Sequence, residues 1–152
     1  MRVLLDTNIL LRLTETGHQQ HQLADKAVEM LLELGEELVV VPQIFYEYWA
    51  VVTRPVAQNG IGLSVAQANS NIQSFQHMFR FLRDERTVFE FWYPLVTALD
   101  VKGKQAHDAR LAAAMQRHSV THLLTFNGAD FKRFPFVQVI EPSSLLLNPP
   151  AS

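Results

Sequence analysis

The sequence predicts a three-layer α/β domain, with helices on both faces of a central parallel sheet, and three observations predict it. Short apolar runs rich in Val, Leu and Ile alternate along the chain with stretches of helical periodicity. Residues 38–41 are apolar at every position, as a strand buried on both faces is. The length of 152 residues, 48% hydrophobic and 18% charged, suits one domain that buries roughly two thirds of its unfolded surface.

Taken in order, Val3, Leu4 and Leu5 form a first strand that runs into Asp6, and residues 8–13 form a short helix. Gly17 breaks it. Residues 19–34 then carry Leu23, Ala27, Met30, Leu31 and Leu34 at helical spacing, and Gly35 is the stop signal. Residues 38–41 make a β-branched second strand. Pro42 suits the first turn of a helix over residues 43–53, which Arg54-Pro55 ends. Residues 56–63, with Asn59-Gly60 and Gly62, are the expected flexible loop. Ser64 can cap a helix reaching about His77, and residues 79–82 are a further strand candidate. Residues 89–99 read as a helix despite Pro94. Gly103 interrupts, Gln105–Arg117 is an alanine-rich helix, and residues 122–125 and 137–140 complete the sheet. The domain is expected over residues 1–141, with residues 142–152, through Asn148-Pro149-Pro150, as a frayed tail. No internal repeat or low-complexity tract interrupts this order.

The absence of cysteine excludes disulfides, thiolate metal sites and a cysteine nucleophile. Met1-Arg2 leads directly into a strand, so no secretory leader is expected, and the apolar stretch over residues 91–99 is too short to span a bilayer. A cytoplasmic protein without a membrane partner is the expectation. The net charge is −2, yet setting Asp6, Glu47, Asp108 and Asp130 aside as ligands leaves 11 acids against 13 Lys and Arg. The remaining surface is mildly basic, which permits RNA.

Parallel sheets collect the C-terminal ends of their strands along one edge, where ligands bind. Asp6 follows the first strand, with Thr7 and Asn8 directly after it. Glu47 lies between Tyr46 and Tyr48, Asp108 begins the alanine-rich helix, and Asp130 stands just past Asn127 after a later strand. Carboxylates brought together raise one another's pKa unless a cation compensates. Oxygen donors without cysteine or clustered histidine favour Mg²⁺ or Mn²⁺ over Zn²⁺. Two of these acids also have structural uses, Asp6 as a helix N-cap and Asp108 against a helix dipole. Glu47, mid-helix among aromatics, is less expected as a solvated acid, although one face of the helix must still be polar. The pairs His18 and His21, and His118 and His122, have ligand-like spacing, but one precedes a surface helix and the other straddles a helix-to-strand junction. His107 is placed to orient a neighbour. Of the basic residues flanking the acids, Lys104 and Arg110 are the better phosphate contacts, Arg54 a weaker one, and Phe131 and Phe134, on either side of Lys132 and Arg133, are assigned to the core.

Four segments carry a resemblance: Leu5-Asp6-Thr7-Asn8, Phe45-Tyr46-Glu47-Tyr48, the run from Gly103 through His107-Asp108 to Leu111, and Leu124-Thr125-Phe126-Asn127-Gly128-Ala129-Asp130-Phe131. In this order, over residues 1 to about 141, they resemble the PIN domain, and most closely the VapC-type toxins of prokaryotic toxin–antitoxin pairs. The resemblance implies a metal-dependent endoribonuclease using Mg²⁺ or Mn²⁺. Asp6 would be the central ligand, Asp108 its direct partner, and Glu47 a ligand of a looser site or one acting through water. The family's fourth acid commonly stands where this chain has Asn127, a neutral oxygen donor, and Asp130 either supplies the missing carboxylate or only caps the next turn. Thr7, Asn8 and Thr125 would hold carboxylates or waters in place. The resemblance also implies an RNA substrate, a cognate antitoxin and a homodimer, with the aromatics of residues 45–49 and 89–93 as interface candidates.

Two other classes compete. One is a catalytically silent PIN-like module that binds RNA or protein, for which Asn127 argues. The other is an aspartyl-phosphate phosphohydrolase, which wants a second acid two residues after Asp6, where Asn8 stands.

Overall fold

The computed structural model describes residues 1–151. A parallel sheet of five strands is built from β1 (Arg2–Leu5), β2 (Glu37–Val40), β3 (Arg80–Phe81), β4 (His122–Leu124) and β5 (Gln138–Ile140), in the order β3-β2-β1-β4-β5. Register is set by pairs such as Leu4↔Val39, Leu5↔Leu124 and Leu124↔Ile140. Val3, Leu4, Leu5, Val39, Val40, Leu123 and Leu124 are all buried, so the middle strands need cover on both faces. Helices α1 (Thr7–Thr14), α2 (His21–Glu33), α3 (Pro42–Thr53), α4 (Val65–Met78), α5 (Arg86–Ala98), α6 (Gln105–Arg117) and α7 (Pro142–Leu147) supply it. The result is the three-layer α/β/α arrangement expected from the sequence.

Local chemistry accounts for the boundaries. Helix α2 ends in a double cap, with Glu36 N–H donating to Leu31 O and Gly35 N–H to Leu32 O, and Gly35 at φ 79°. Ser64 and Gln67 form a reciprocal capping box at the start of α4. Pro94 sits inside α5 on an exposed face, where water can satisfy the carbonyl freed by its missing N–H.

Three expectations need correction. The tail after residue 141 is not frayed from its start: Pro142–Leu147 is helix α7, packed against α2, with Pro142 and Leu145 buried. Docking of one apolar face stabilises a helix that Ser143, Ser144 and the prolines beyond it disguise. Residues 56–63 do not lie open. They contain a 3₁₀ turn, Val56–Gln58, and are tied back by Gly62 N–H to Arg54 O (2.9 Å) and Leu63 N–H to Val52 O (2.7 Å). A Cβ on Gly60 would fall 1.9 Å from Arg54 O, so this close return requires glycine. Strand β3 shrinks to two exposed residues at the sheet edge. Among the described residues, no helix is long and apolar enough to cross a membrane.

Candidate metal centre

The chain turns from one half of the sheet to the other between β1 and β4, and the crevice beyond their C-terminal ends is the expected ligand site of such a fold. Asp6 stands there. Its N–H continues the ladder to Leu124 O (3.0 Å), and its side chain leaves the strand as the N-cap of α1. The structural use foreseen for Asp6 is therefore real, and it leaves the second carboxylate oxygen for other partners.

Oδ1 of Asp6 accepts from Thr7 N–H at 2.7 Å. Oδ2 accepts from the Thr125 hydroxyl at 2.7 Å and from the Asn8 amide at 3.3 Å. Asn8 also donates to Thr125 Oγ1 (3.1 Å) and accepts Phe126 N–H (3.1 Å), while Asn127 N–H donates to Thr125 Oγ1 (3.0 Å). The Thr125 hydroxyl thus spends its single proton on Asp6 and both lone pairs on its neighbours. Asp6 and Thr125 are buried, and this network fixes the orientation of the carboxylate.

Glu47 reaches the site from the middle of α3. Its Oε2 accepts from the Thr7 hydroxyl (2.7 Å) and its Oε1 from Gln43 Nε2 (2.8 Å). Gln43 lies one turn earlier on the same helix and donates its other amide hydrogen to the backbone carbonyl of His107 at 2.9 Å. Both candidate acceptors face the amide nitrogen, so Gln43 Oε1 is left buried and, among the described residues, without a hydrogen-bond partner. A buried polar atom left unpaired costs about 1–3 kcal/mol.

Asp108 lies half-buried in the first turn of α6, and Asp130 is exposed on the 3₁₀ turn Gly128–Phe131. Burial is the main cause that pushes the Asp108 carboxyl up to about 6, with the charges of Asp130, Asp6 and Glu47 adding to it and His107 opposing it. Burial also raises Asp6, followed by Glu47 and Asp130, against the hydrogen bonds from Thr125 and Thr7. The four acids therefore share one electrostatic site, and no Lys or Arg is among the groups that offset them.

That donor set fits a hard divalent cation. Among the described residues, no three Asp, Glu, His or Cys side chains gather closely enough to enclose a bare ion. A hard ion such as Mg²⁺ keeps several waters and takes only one or two carboxylates directly.

The other candidates divide. Asn127 is exposed, and it is its backbone that is engaged, in N–H to Thr125 Oγ1 and C=O to Asp130 N–H. Asp130 is the member of that turn that acts electrically on Asp6 and Asp108. Lys104 is exposed at the start of α6, whereas Arg110 is paired with Asp84 at 2.6 Å. Arg110 also lines a cleft of about 570 Å³ with Phe89, Trp92 and His107, beside the acids rather than over them. Phe131 and Phe134 are in the core. The ring nitrogens of the four paired histidines that make contacts meet local partners: His18 with Gln20 N–H, His21 with Arg12 O, His118 with Arg83 O and His122 with the Thr121 hydroxyl.

Two contributors escaped the sequence. Gln43 was within reach, because a Gln four residues before a Glu on a helix is a recognisable pair. Glu141 was not. Its carboxylate accepts Gly128 N–H (3.1 Å) and anchors the turn that carries Asp130, and a Cβ on Gly128 would meet it at 2.4 Å.

The PIN domain family model matches residues 3–137. No curated protein matches the chain. Among solved structures, VapBC2 from Rickettsia felis bound to a DNA fragment from its promoter matches with a TM-score of 0.69 and 17% identity, over 93% of this chain and 98% of that one. VapBC-1 from nontypeable Haemophilus influenzae matches with a TM-score of 0.68 and 16% identity, over 94% and 99%. VapC20 of Mycobacterium tuberculosis, a toxin that cleaves the sarcin-ricin loop, matches with a TM-score of 0.64 and 15% identity, over 84% and 92%. At these identities the likeness is one of fold.

Proposed function

The chain belongs to the PIN domain family, and from that premise we propose that it is a metal-dependent endoribonuclease serving as the toxin of a toxin–antitoxin pair. The observation that carries the proposal is the linkage of Asp6 and Glu47 through Thr7, with Asp6 and Asp108 both raised, first by burial and then by neighbouring acids that include Glu47 and Asp130. The solved neighbours that are toxin–antitoxin complexes, and one that cleaves the sarcin-ricin loop, support the biological role.

In this mechanism Asp6 is the central ligand, Asp108 its direct partner, and Glu47 holds a looser position or acts through water. Asp130 supplies the fourth carboxylate, with the Asn127 carbonyl as a neutral donor at the family's fourth place. When bound, Mg²⁺ or Mn²⁺ polarises the scissile phosphate, lowers the pKa of water and neutralises charge on the leaving oxygen. The chain's own contribution is orientation. Thr7 holds Glu47, and Thr125 and Asn8 hold Asp6, at the distances given above. Lys104 is free to meet an RNA phosphate, while Arg110 must exchange Asp84 for one.

The RNA substrate is joined by two protein partners, a cognate antitoxin and a second copy of the chain. Phe89, Phe91 and Tyr93 stand exposed on α5 and Tyr46 on α3, which is apolar area available for such contacts. Action in the cytoplasm follows from the proposed role.

The test is cleavage of a structured RNA pool by antitoxin-free protein with Mg²⁺, Mn²⁺ or chelator. Metal-dependent cutting at defined sites is expected, with Asp6→Asn and Asp108→Asn each lowering the rate at least about 100-fold, as loss of a group acting directly on the transition state does. Folded wild-type protein that cuts under none of these conditions would instead support the silent binding module, for which Asn127 argues.

A further inference from the structure

The single amide group of Gln43 touches both a proposed ligand and the backbone that carries another. One amide hydrogen goes to Glu47 Oε1 (2.8 Å) and the other to the carbonyl of His107 (2.9 Å), whose next residue is Asp108. Helices α3 and α6 follow different strands, so nothing in the local chain fixes the distance between Glu47 and Asp108. The Gln43 amide does.

The arrangement has a cost that packing alone does not explain. Gln43 is buried, and its Oε1 has no hydrogen-bond partner among the described residues. An apolar side chain of equal length would fill the position without that loss. Gln43 is also confined, since the cavity it lines with Val41, Val88, Ala114 and the charged Arg83, Asp84 and Arg110 measures about 10 Å³, room for about one water at most. Its partner Glu47 is restrained on the other oxygen by Thr7, so the carboxylate is clamped from two sides.

We infer that Gln43 is a positioning residue that sets the spacing of the Glu47 and Asp108 ligands, and through it the affinity and size selectivity of the cation site. The inference rests on the metal centre proposed above. A small ion with strict octahedral demands gains from fixed spacing, whereas Ca²⁺, with longer and more variable bonds, tolerates its loss. Groups that orient ligands in this way typically change metal affinity by about 10- to 100-fold when removed.

The experiment uses the full chain and two variants. Gln43→Met keeps length and helix propensity without donors, and Gln43→Asn keeps the amide but is one methylene too short to span both acceptors. Free Mn²⁺ is followed by electron paramagnetic resonance, Mg²⁺ and Ca²⁺ compete against it, and melting is recorded in chelator. Both variants are expected to melt in chelator close to wild type, to bind Mn²⁺ about 10- to 100-fold more weakly, and to prefer Mg²⁺ over Ca²⁺ less than wild type does. Wild-type affinity and selectivity in both variants would overturn the role of Gln43 while leaving the nuclease standing. Unfolding of both in chelator would make Gln43 a structural residue and overturn it as well. Wild-type protein that binds no divalent cation would remove the metal centre itself, and this role with it.

Discussion

Asp108 carries the most accessible signature of the site. Its carboxyl is pushed up to about 6 from an ordinary 3.8, chiefly by burial. In metal-free protein the folded chain therefore keeps a proton there that the unfolded chain has released across that interval. Stability tied to this group is complete below the unfolded value and is lost as pH rises through the folded one. Melting temperature of the metal-free wild type should accordingly fall between about pH 4 and pH 6 through this contribution, with Asp6 acting in the same direction. Asp108→Asn should flatten the part of the profile near pH 6, and an unchanged slope in that variant would show that the carboxylate is not held in the environment described.

At the scale of elements, α7 shows where tertiary structure overrides local signals. Leu145 is buried against α2, and Leu145→Ala should lower unfolding free energy by about 2 kcal/mol, the low end for a buried leucine, as read from denaturant melts. No loss would mean that α7 does not dock. The sequence could not announce this helix, because six residues carrying two serines are too few to form one unaided. Helix α6, by contrast, was legible to the residue, since Gly103 before it and a run of alanines within it act locally. Much the same division runs through the site. Asp6 was readable as a candidate because it follows a strand, Glu47 because it breaks an apolar pattern and Asp108 because it opens an alanine-rich helix, and Gln43 could have been read from its place one turn before Glu47. The bond from Glu141 to Gly128 depends on where β5 ends beside the turn after β4, which no local pattern encodes.

Across the whole molecule, the four acids come from α3, α6 and the segments after β1 and β4, and the sheet is their common support. Filling the site should therefore stabilise everything that holds it. Mg²⁺ or Mn²⁺ at about 100 times its dissociation constant should add about 2.7 kcal/mol to unfolding free energy. Asp6→Asn should lose that increment, and a wild-type melting temperature indifferent to both ions would contradict the site. The same dispersal along the chain bears on the birth of the protein. Asp130 and the Glu141 that steadies its turn are made after Asp6, Glu47 and Asp108, and β1 cannot gain its neighbour β4 until residues 122–124 have left the ribosome. A nascent chain consequently has no assembled centre until that segment has emerged, and an activity directed at RNA would stay dormant until then beside the message and the ribosome that are producing it.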